Sequence, residues 1–197
     1  KTSRPSLPVE GHDVSSFCAA NRFLLYWAKG EIPMIREFER DRDLDAVLQI
    51  WLETNASAHA FVPRSYWLRQ SALVREALPQ AEVYVEAGED DGQVRGFVGL
   101  TGDFIAGLFV RASSQSQGIG RALLQRAKAG RSFLRLGVYK KNPRAIAFYQ
   151  REGFVIESEG LDENTNEPEF TMAWRKPPAA EANKAFTIYT HRQENIR

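Results

Sequence analysis

Between residues 34 and 175 the chain switches between two hydrophobic periods. Residues 35–38, Glu82–Ala87 and Val94–Thr101 carry alternating or short apolar runs bounded by turn residues, and predict strands. Leu44, Val47, Leu48, Trp51 and Leu52 fall at helical spacing, so a helix is expected to start at Asp43 or at Arg42 beside it, with Asp43 as a good N-cap. Residues 55–61 read as a break containing His59. Pro63 then opens a second helix carrying Tyr66, Trp67, Leu68, Leu73, Val74 and Leu78, closed by Pro79. Residues 88–92 read as a hairpin turn. Phe104–Val110 is a fourth such run, long enough for a buried strand. Residues 111–117 are a polar loop, and Ile119, Leu123 and Ala127 at i, i+4 and i+8 predict a helix starting near Gly118 and stopped by Gly130. Residues 132–140 form the next strand. Asn142-Pro143 supplies an N-cap and a first helical residue, and Gly153 closes that helix. Two final strands, 154–160 and 170–174, flank a long polar turn. The order is β-α-α-β-β-β-α-β-α-β-β, with no internal repeat.

The flanks lie outside this pattern. The alternation starts directly after Met34, which predicts a domain over residues 34–175. Residues 1–33 are expected to be a leader, a remnant or an added segment. Within them residues 3–11 are Pro- and Ser-rich and irregular, while residues 17–28 are apolar enough to form a short helix on the domain or a contact with a second subunit of a homodimer. Residues 176–197 read as a tail, in which residues 186–189 have the pattern of an added edge strand.

Composition narrows the class. At 197 residues, 43% hydrophobic and 26% charged, the chain is ordinary for a soluble single domain. A net charge of +1 gives no global case for binding nucleic acid or an anionic membrane. Basic residues cluster locally, over 121–135 and at Lys140, Lys141 and Arg144, on faces that would suit phosphates as well as solvent. Cys18 is the only cysteine, which excludes an intrachain disulfide and a multi-cysteine zinc site. His12, His59 and His191 show no metal-ligand spacing, so no metal is expected. No apolar run approaches membrane-spanning length. A reducing cytoplasm is the expected compartment.

The chemistry centres on residues 103–124. A strand, a polar loop and a helix opening on Gly118-Ile-Gly120 make an anion site. The first backbone N–H groups of a helix have no internal partner, and the helix dipole places partial positive charge there. Without side chains at Gly118 and Gly120 a phosphate can approach the backbone closely. A P-loop is excluded because no Lys follows Gly120. A dinucleotide fingerprint is excluded because Leu123 stands where its third small residue belongs.

Gln115-x-x-Gly118-x-Gly120 after a hydrophobic strand resembles the acetyl-coenzyme A signature of the GNAT family of N-acetyltransferases. A second block, Asn142-Pro-Arg-Ala145-Ile-Ala-Phe148-Tyr149-Gln-Arg-Glu-Gly153-Phe154, resembles that family's Asn-x-x-Ala-x-x-Phe-Tyr-x-x-x-Gly-Phe pattern, in the right element and order. The stretch that also holds Trp51, His59, Tyr66-Trp67 and Met172-Ala-Trp174 is similar to small bacterial protein-lysine acetyltransferases. The resemblance implies an α/β (α+β) GNAT fold: a mixed, mostly antiparallel central sheet flanked by about four helices. It implies acetyl-CoA as co-substrate and an amine-bearing small molecule or protein lysine as acceptor. The backbone of Leu108, Phe109 and Val110 is then expected to pair with the pantetheine arm. Gln117, Gly118, Ile119 and Gly120 would offer backbone N–H groups to the pyrophosphate, flanked by Gln115 and Arg121. Asn142 would contact the arm, Ala145 would belong to the same cofactor wall, and Tyr149 would sit by the thioester sulfur.

The implied reaction sets the remaining expectations. An amine attacks the thioester, and the departing thiolate needs a proton, for which Tyr149 is the candidate acid. Tyr149 also reads as a plain core aromatic beside Phe148. The attacking amine must be neutral, yet a lysine amine has a pKa near ~10.4. His59, Glu53 and Asp103 are candidate bases; His59 has the pKa best suited to the task and lies where this family covers its acceptor. The residues alone single out none of the three. Two other readings stay open: a GNAT toxin acetylating aminoacyl-tRNA, which asks for a continuous basic face, and a non-catalytic acetyl-CoA-binding module.

Overall fold

The computed structural model describes residues 34–88 and 92–178. The expectations for residues 1–33, for the tip of the 88–92 turn and for residues 186–189 lie outside them. The elements follow the predicted order: β1 Met34–Glu37, α1 Arg40–Ala58, α2 Arg64–Ala77, β2 Glu82–Ala87, β3 Val94–Thr101, β4 Phe104–Val110, α3 Ile119–Lys128, β5 Phe133–Tyr139, α4 Pro143–Arg151, β6 Val155–Leu161 and β7 Pro168–Arg175. The seven strands make one sheet in the order β1-β2-β3-β4-β5-β7-β6. Every neighbouring pair is antiparallel except β4–β5. That exception follows from chain order: α3 is the crossover between the two strands, and such a crossover makes them parallel.

Strand alternation divides the core between the two faces of the sheet. Val83, Val85, Phe97 and Phe109 turn to α1 and α2, where Val47, Leu48 and Ile50 are buried. Tyr84, Val98, Leu134, Leu136, Val138 and Met172 turn to α3 and α4. On that side Ile119, Leu123, Leu124 and Ala127 form the buried stripe of α3 predicted by their spacing. No helix among the described residues is long and apolar enough to cross a membrane.

Three local expectations change. The first helix begins at Arg40, ahead of Asp43. Asp43 is fully buried; its carboxylate reaches back to accept from the N–H of Glu39 (2.9 Å) and takes both guanidinium nitrogens of Arg36 (2.6 and 2.7 Å). A buried carboxylate needs such partners, and here they tie β1 to α1. The same helix continues to Ala58, so Asn55 is helical and the break shrinks to His59–Pro63. Finally, β7 starts at Pro168, which shortens the last turn. Asp162 organises that turn: its Oδ1 accepts from the N–H of Asn164, the N–H of Thr165 and the hydroxyl of Thr165.

Candidate active site

The parallel pair β4–β5 opens a cleft in the middle of the sheet. The two strands are paired at Phe104 and Arg135 and part beyond that point. The other edge of β4 stays paired with β3 as far as Gly96–Val110. Alternate backbone groups of Leu108, Phe109 and Val110 therefore face the opened side, as an unused strand edge. Side chains leave it clear: Phe109 stacks on Phe97 (5.0 Å) on one face, while Leu108 and Val110 pack into the α3–α4 core on the other.

The loop after β4 is held in shape by its own glutamines. Gln115 Nε2 donates to the carbonyl of Val110 (3.0 Å), and Gln117 Nε2 donates to the carbonyl of Ser113 (3.2 Å). Both amides are thus spent on shaping the loop, a use the sequence did not show. Ser116 (φ 64°) and Gly118 (φ 84°) are left-handed. Such turns direct successive N–H groups into an anion-binding concavity. Gly118 is the N-cap of α3, whose first-turn N–H groups lack intrahelical acceptors. At Gly120 a β-carbon would lie 3.5–3.7 Å from Leu108, Val110 and Phe148. The small residue there seats the start of α3 against β4 and α4, in addition to baring backbone. Arg121 stands 3.5 Å from Glu152, at the end of α4.

Asn142 and His59, 83 residues apart, meet at the far wall of the cleft. The bond directions form a fully determined relay. Asn142 Oδ1 accepts from the N–H of Ala145 (3.1 Å), capping α4, so its Nδ2 must donate to His59 Nε2 (3.3 Å). Asn55 Nδ2 donates to the carbonyl of Trp51 (2.9 Å), which leaves Asn55 Oδ1 to accept from His59 Nδ1–H (3.1 Å). His59 is therefore neutral, with its proton on Nδ1. Burial lowers its pKa to about 4, away from the neutral range its sequence position suggested for a base. A group so placed is a weak proton acceptor, and its one lone pair is already engaged.

The other two candidate bases lie elsewhere. Glu53 is on an exposed face of α1 and accepts from Gln49 (2.9 Å). Asp103 is exposed in the β3–β4 turn, at the closed end of the cleft. Five residues of strand put it roughly 16 Å from Leu108. Tyr149 is 8% exposed, packed edge-on to Phe148 and Phe154 (5.1 and 5.5 Å) in the α3–α4 core; burial pushes its phenol pKa up.

Sequence reading did not link the residues on the α1–α2 face of the cleft. Tyr139, at the end of β5, packs edge-on to His59 (5.0 Å) and Phe61 (5.4 Å), and Trp67 lies 5.7 Å from His59. The Tyr139 phenol pKa is pushed up to about 12, first by burial and further by Asp162, Tyr66 and Glu169. Glu169 lies opposite Tyr139 in the β5–β7 register. Odd-numbered β5 positions gave the only sequence signal, by alternating with the buried Leu134, Leu136 and Val138. Among the described residues no group of three or more His, Cys, Asp or Glu is arranged to hold a metal.

Comparison with known proteins agrees with this architecture. A family model described as "Acetyltransferase (GNAT) domain" matches residues 79–156. The chain is 40% identical over 143 residues to the peptidyl-lysine N-acetyltransferase YiaC of Escherichia coli (strain K12), covering 72% of this chain and 96% of that one. It is 30% identical over 117 residues to the peptidyl-lysine N-acetyltransferase YjaB of Salmonella typhimurium, covering 59% and 80%. The solution structure of apo-form YjaB from Escherichia coli superposes with a TM-score of 0.65 at 27% identity, covering 73% of this chain and 98% of that one. The PaiA N-acetyltransferase of Thermoplasma acidophilum, solved in complex with coenzyme A, shares the fold at a TM-score of 0.60 and 18% identity, covering 74% and 100%. The chain belongs to the GNAT family and is an acetyl-CoA-dependent N-acetyltransferase.

Proposed function

We propose that this enzyme transfers the acetyl group of acetyl-CoA to the ε-amine of a lysine in a protein or peptide, by direct attack in a ternary complex. One observation carries the reading: the open edge of β4 runs straight into a left-handed loop and a helix N-terminus. That combination offers strand-like pairing to an extended amide chain and N–H donors to a pyrophosphate. Relatives of 40% and 30% identity that are named peptidyl-lysine N-acetyltransferases support lysine as the acceptor.

Acetyl-CoA supplies the thioester whose acyl group moves. The protein's part follows from its own groups. Leu108–Val110 would hold the pantetheine arm, and the N–H groups of Gln117–Gly120, flanked by Arg121, would hold the pyrophosphate. Gln115 acts through the loop it braces. Asn142 keeps its place through its cap on α4 and the neutral His59 behind it. Tyr149 is the proton source for the departing sulfur: a phenol with an ordinary pKa of ~10 is protonated at neutral pH and can give its proton to a thiolate. His59 is a positioning residue in this scheme.

The test measures thiol release from acetyl-CoA with a lysine peptide panel, alongside the same peptides with blocked lysines, polyamines and an aminoacyl-tRNA. Release that requires a free lysine ε-amine is expected. Release with polyamines or aminoacyl-tRNA alone would reject lysine as acceptor. Absence of a thermal shift at millimolar acetyl-CoA would reject the cofactor cleft itself.

A further inference from the structure

Glu169 stands out among the carboxylates at its end of the sheet. Its neighbours are matched with bases: Glu157 with Arg175, Glu159 with Lys140 and Glu167 with Lys141. Glu169 is partly buried and has neither a cation nor a hydrogen-bond donor among the described residues. Desolvation and the nearby charge of Asp162 both raise its pKa, so the ionised form is held at a cost. No group among the described residues repays that cost.

Its placement is specific. Glu169 projects from β7 on the same sheet face as Tyr139, and its carboxylate lies over Gly137 of β5. A β-carbon at Gly137 would stand 2.8 Å from Glu169 Oε2, so the glycine makes the room that the carboxylate occupies. Gly137 belongs to the arm of β5 that has parted from β4, facing the strand expected to hold the pantetheine arm. Tyr139 stands beside it, with Phe61 edge-on to Tyr139 and its ring covered by Lys141 Nζ at 5.1 Å. An aromatic ring and a carboxylate without a partner among the described residues suit one kind of ligand group: an alkyl ammonium, whose methylene stem packs on the ring while its charge meets the acid.

We propose that Glu169 is the acceptor-recognition residue, receiving the ε-ammonium of the incoming lysine over Gly137, from where the ammonium gives a proton to solvent before the neutral amine attacks the thioester. The assignment rests on the lysine-transfer reading and supplies its missing acceptor subsite. It also explains the lone carboxylate: the partner is the substrate.

The experiment uses the full chain and three variants. Glu169→Gln keeps the shape and removes the charge. Its KM for a lysine peptide is expected to rise about 10-fold or more, the scale of a lost hydrogen bond to a charged group, with unchanged acetyl-CoA affinity. Its melting temperature is expected to hold or rise, because an unpaired, desolvated charge leaves the fold. Glu169→Asp is expected to recover part of the KM. Gly137→Ala is expected to raise KM while leaving the charge in place. A KM unchanged in Glu169→Gln, or a melting temperature that falls together with cofactor affinity, would overturn the assignment. The second readout needs no turnover: an amide-shift titration of the cofactor-loaded enzyme with a lysine peptide and its norleucine counterpart. Saturable shifts at Gly137, Tyr139 and Glu169 with lysine only are expected, and equal or absent shifts would refute the site. If wild type acetylates no lysine peptide, the lysine-transfer reading fails by itself, and the titration alone decides whether Glu169 binds an ammonium.

Discussion

Acidification is expected to destabilise this fold through His59 before its carboxylates titrate. The folded pKa is about 4, against an ordinary value of 6.5. A base whose folded pKa is depressed stabilises the protein fully above its unfolded pKa and loses that contribution as pH falls from 6.5 toward 4. At pH 5 the unfolded ring is almost wholly protonated and the folded ring about a tenth so. Linkage then gives about 2 kcal/mol, which residual solvent contact trims to about 1 kcal/mol. The cause of the lowered pKa is burial, and the relay opposes protonation as well. A proton on Nε2 would face the Nδ2–H of Asn142, and that amide cannot turn over without losing its cap on Ala145. The assay is urea unfolding at pH 7.5 and pH 5 for wild type and His59→Gln. Other groups titrate in both proteins and cancel. Asp43 and Glu82 have lowered pKa values, so their contributions are lost only below the ordinary carboxylate range; the raised pKa of Glu169 works in the opposite direction. Wild type is expected to lose about 1 kcal/mol more than the variant, a few degrees in melting temperature for a chain of this size. Equal pH dependence in the two proteins would refute the neutral, clamped histidine.

Tyr149→Phe is expected to fold normally and bind acetyl-CoA, with kcat lower by about 10²-fold; steady-state kinetics with a separate binding measurement checks it, and full activity would return Tyr149 to a packing role. Gly118→Ala forces a side chain into φ 84°, at about 1–2 kcal/mol, and is expected to lower both melting temperature and cofactor affinity. Gly120→Ala places its methyl at ordinary contact distance from Leu108, Val110 and Phe148, so calorimetry is expected to show little change in stability. Gln115→Ala leaves the Val110 carbonyl without its amide partner and is expected to weaken acetyl-CoA binding without changing the affinity for acceptor.

The relay also shows how the site depends on packing. Asn142 is fixed from two directions, by the helix it starts and by a histidine on a different helix-terminal loop. The first contact joins two residues of the motif block, Asn142 and Ala145, whereas the second brings in a residue from outside it. Mutations at Asn55 are therefore expected to act on the cofactor wall at a distance, which acetyl-CoA affinity of Asn55→Ala would reveal.

Local rules in the chain were sufficient for most elements that have their own periodicity or cap, the bounds of the first helix excepted. The stripe Ile119–Leu123–Ala127, the Asn142-Pro143 start and the alternation of β5 are read from neighbours within one or two turns, and each element stands where those rules put it. The turn between β4 and α3 was legible for the same reason, since a strand, a glycine pair and a helix start are contiguous. What depended on distant partners was not legible. Asp43 looked like a cap because the sequence does not show that Arg36 reaches it across a strand–helix junction. His59 looked like a base because its unperturbed pKa suits one, and the sequence does not show the burial between Asn55 and Asn142 that lowers it. Glu169 fell in the expected polar turn, outside the 170–174 strand, until the β5–β7 register set it over Gly137 beside Tyr139. Periodicity fixes which side of an element is apolar, but desolvation and pairing depend on what the rest of the chain brings to that side, and those two decide what an ionisable group can do.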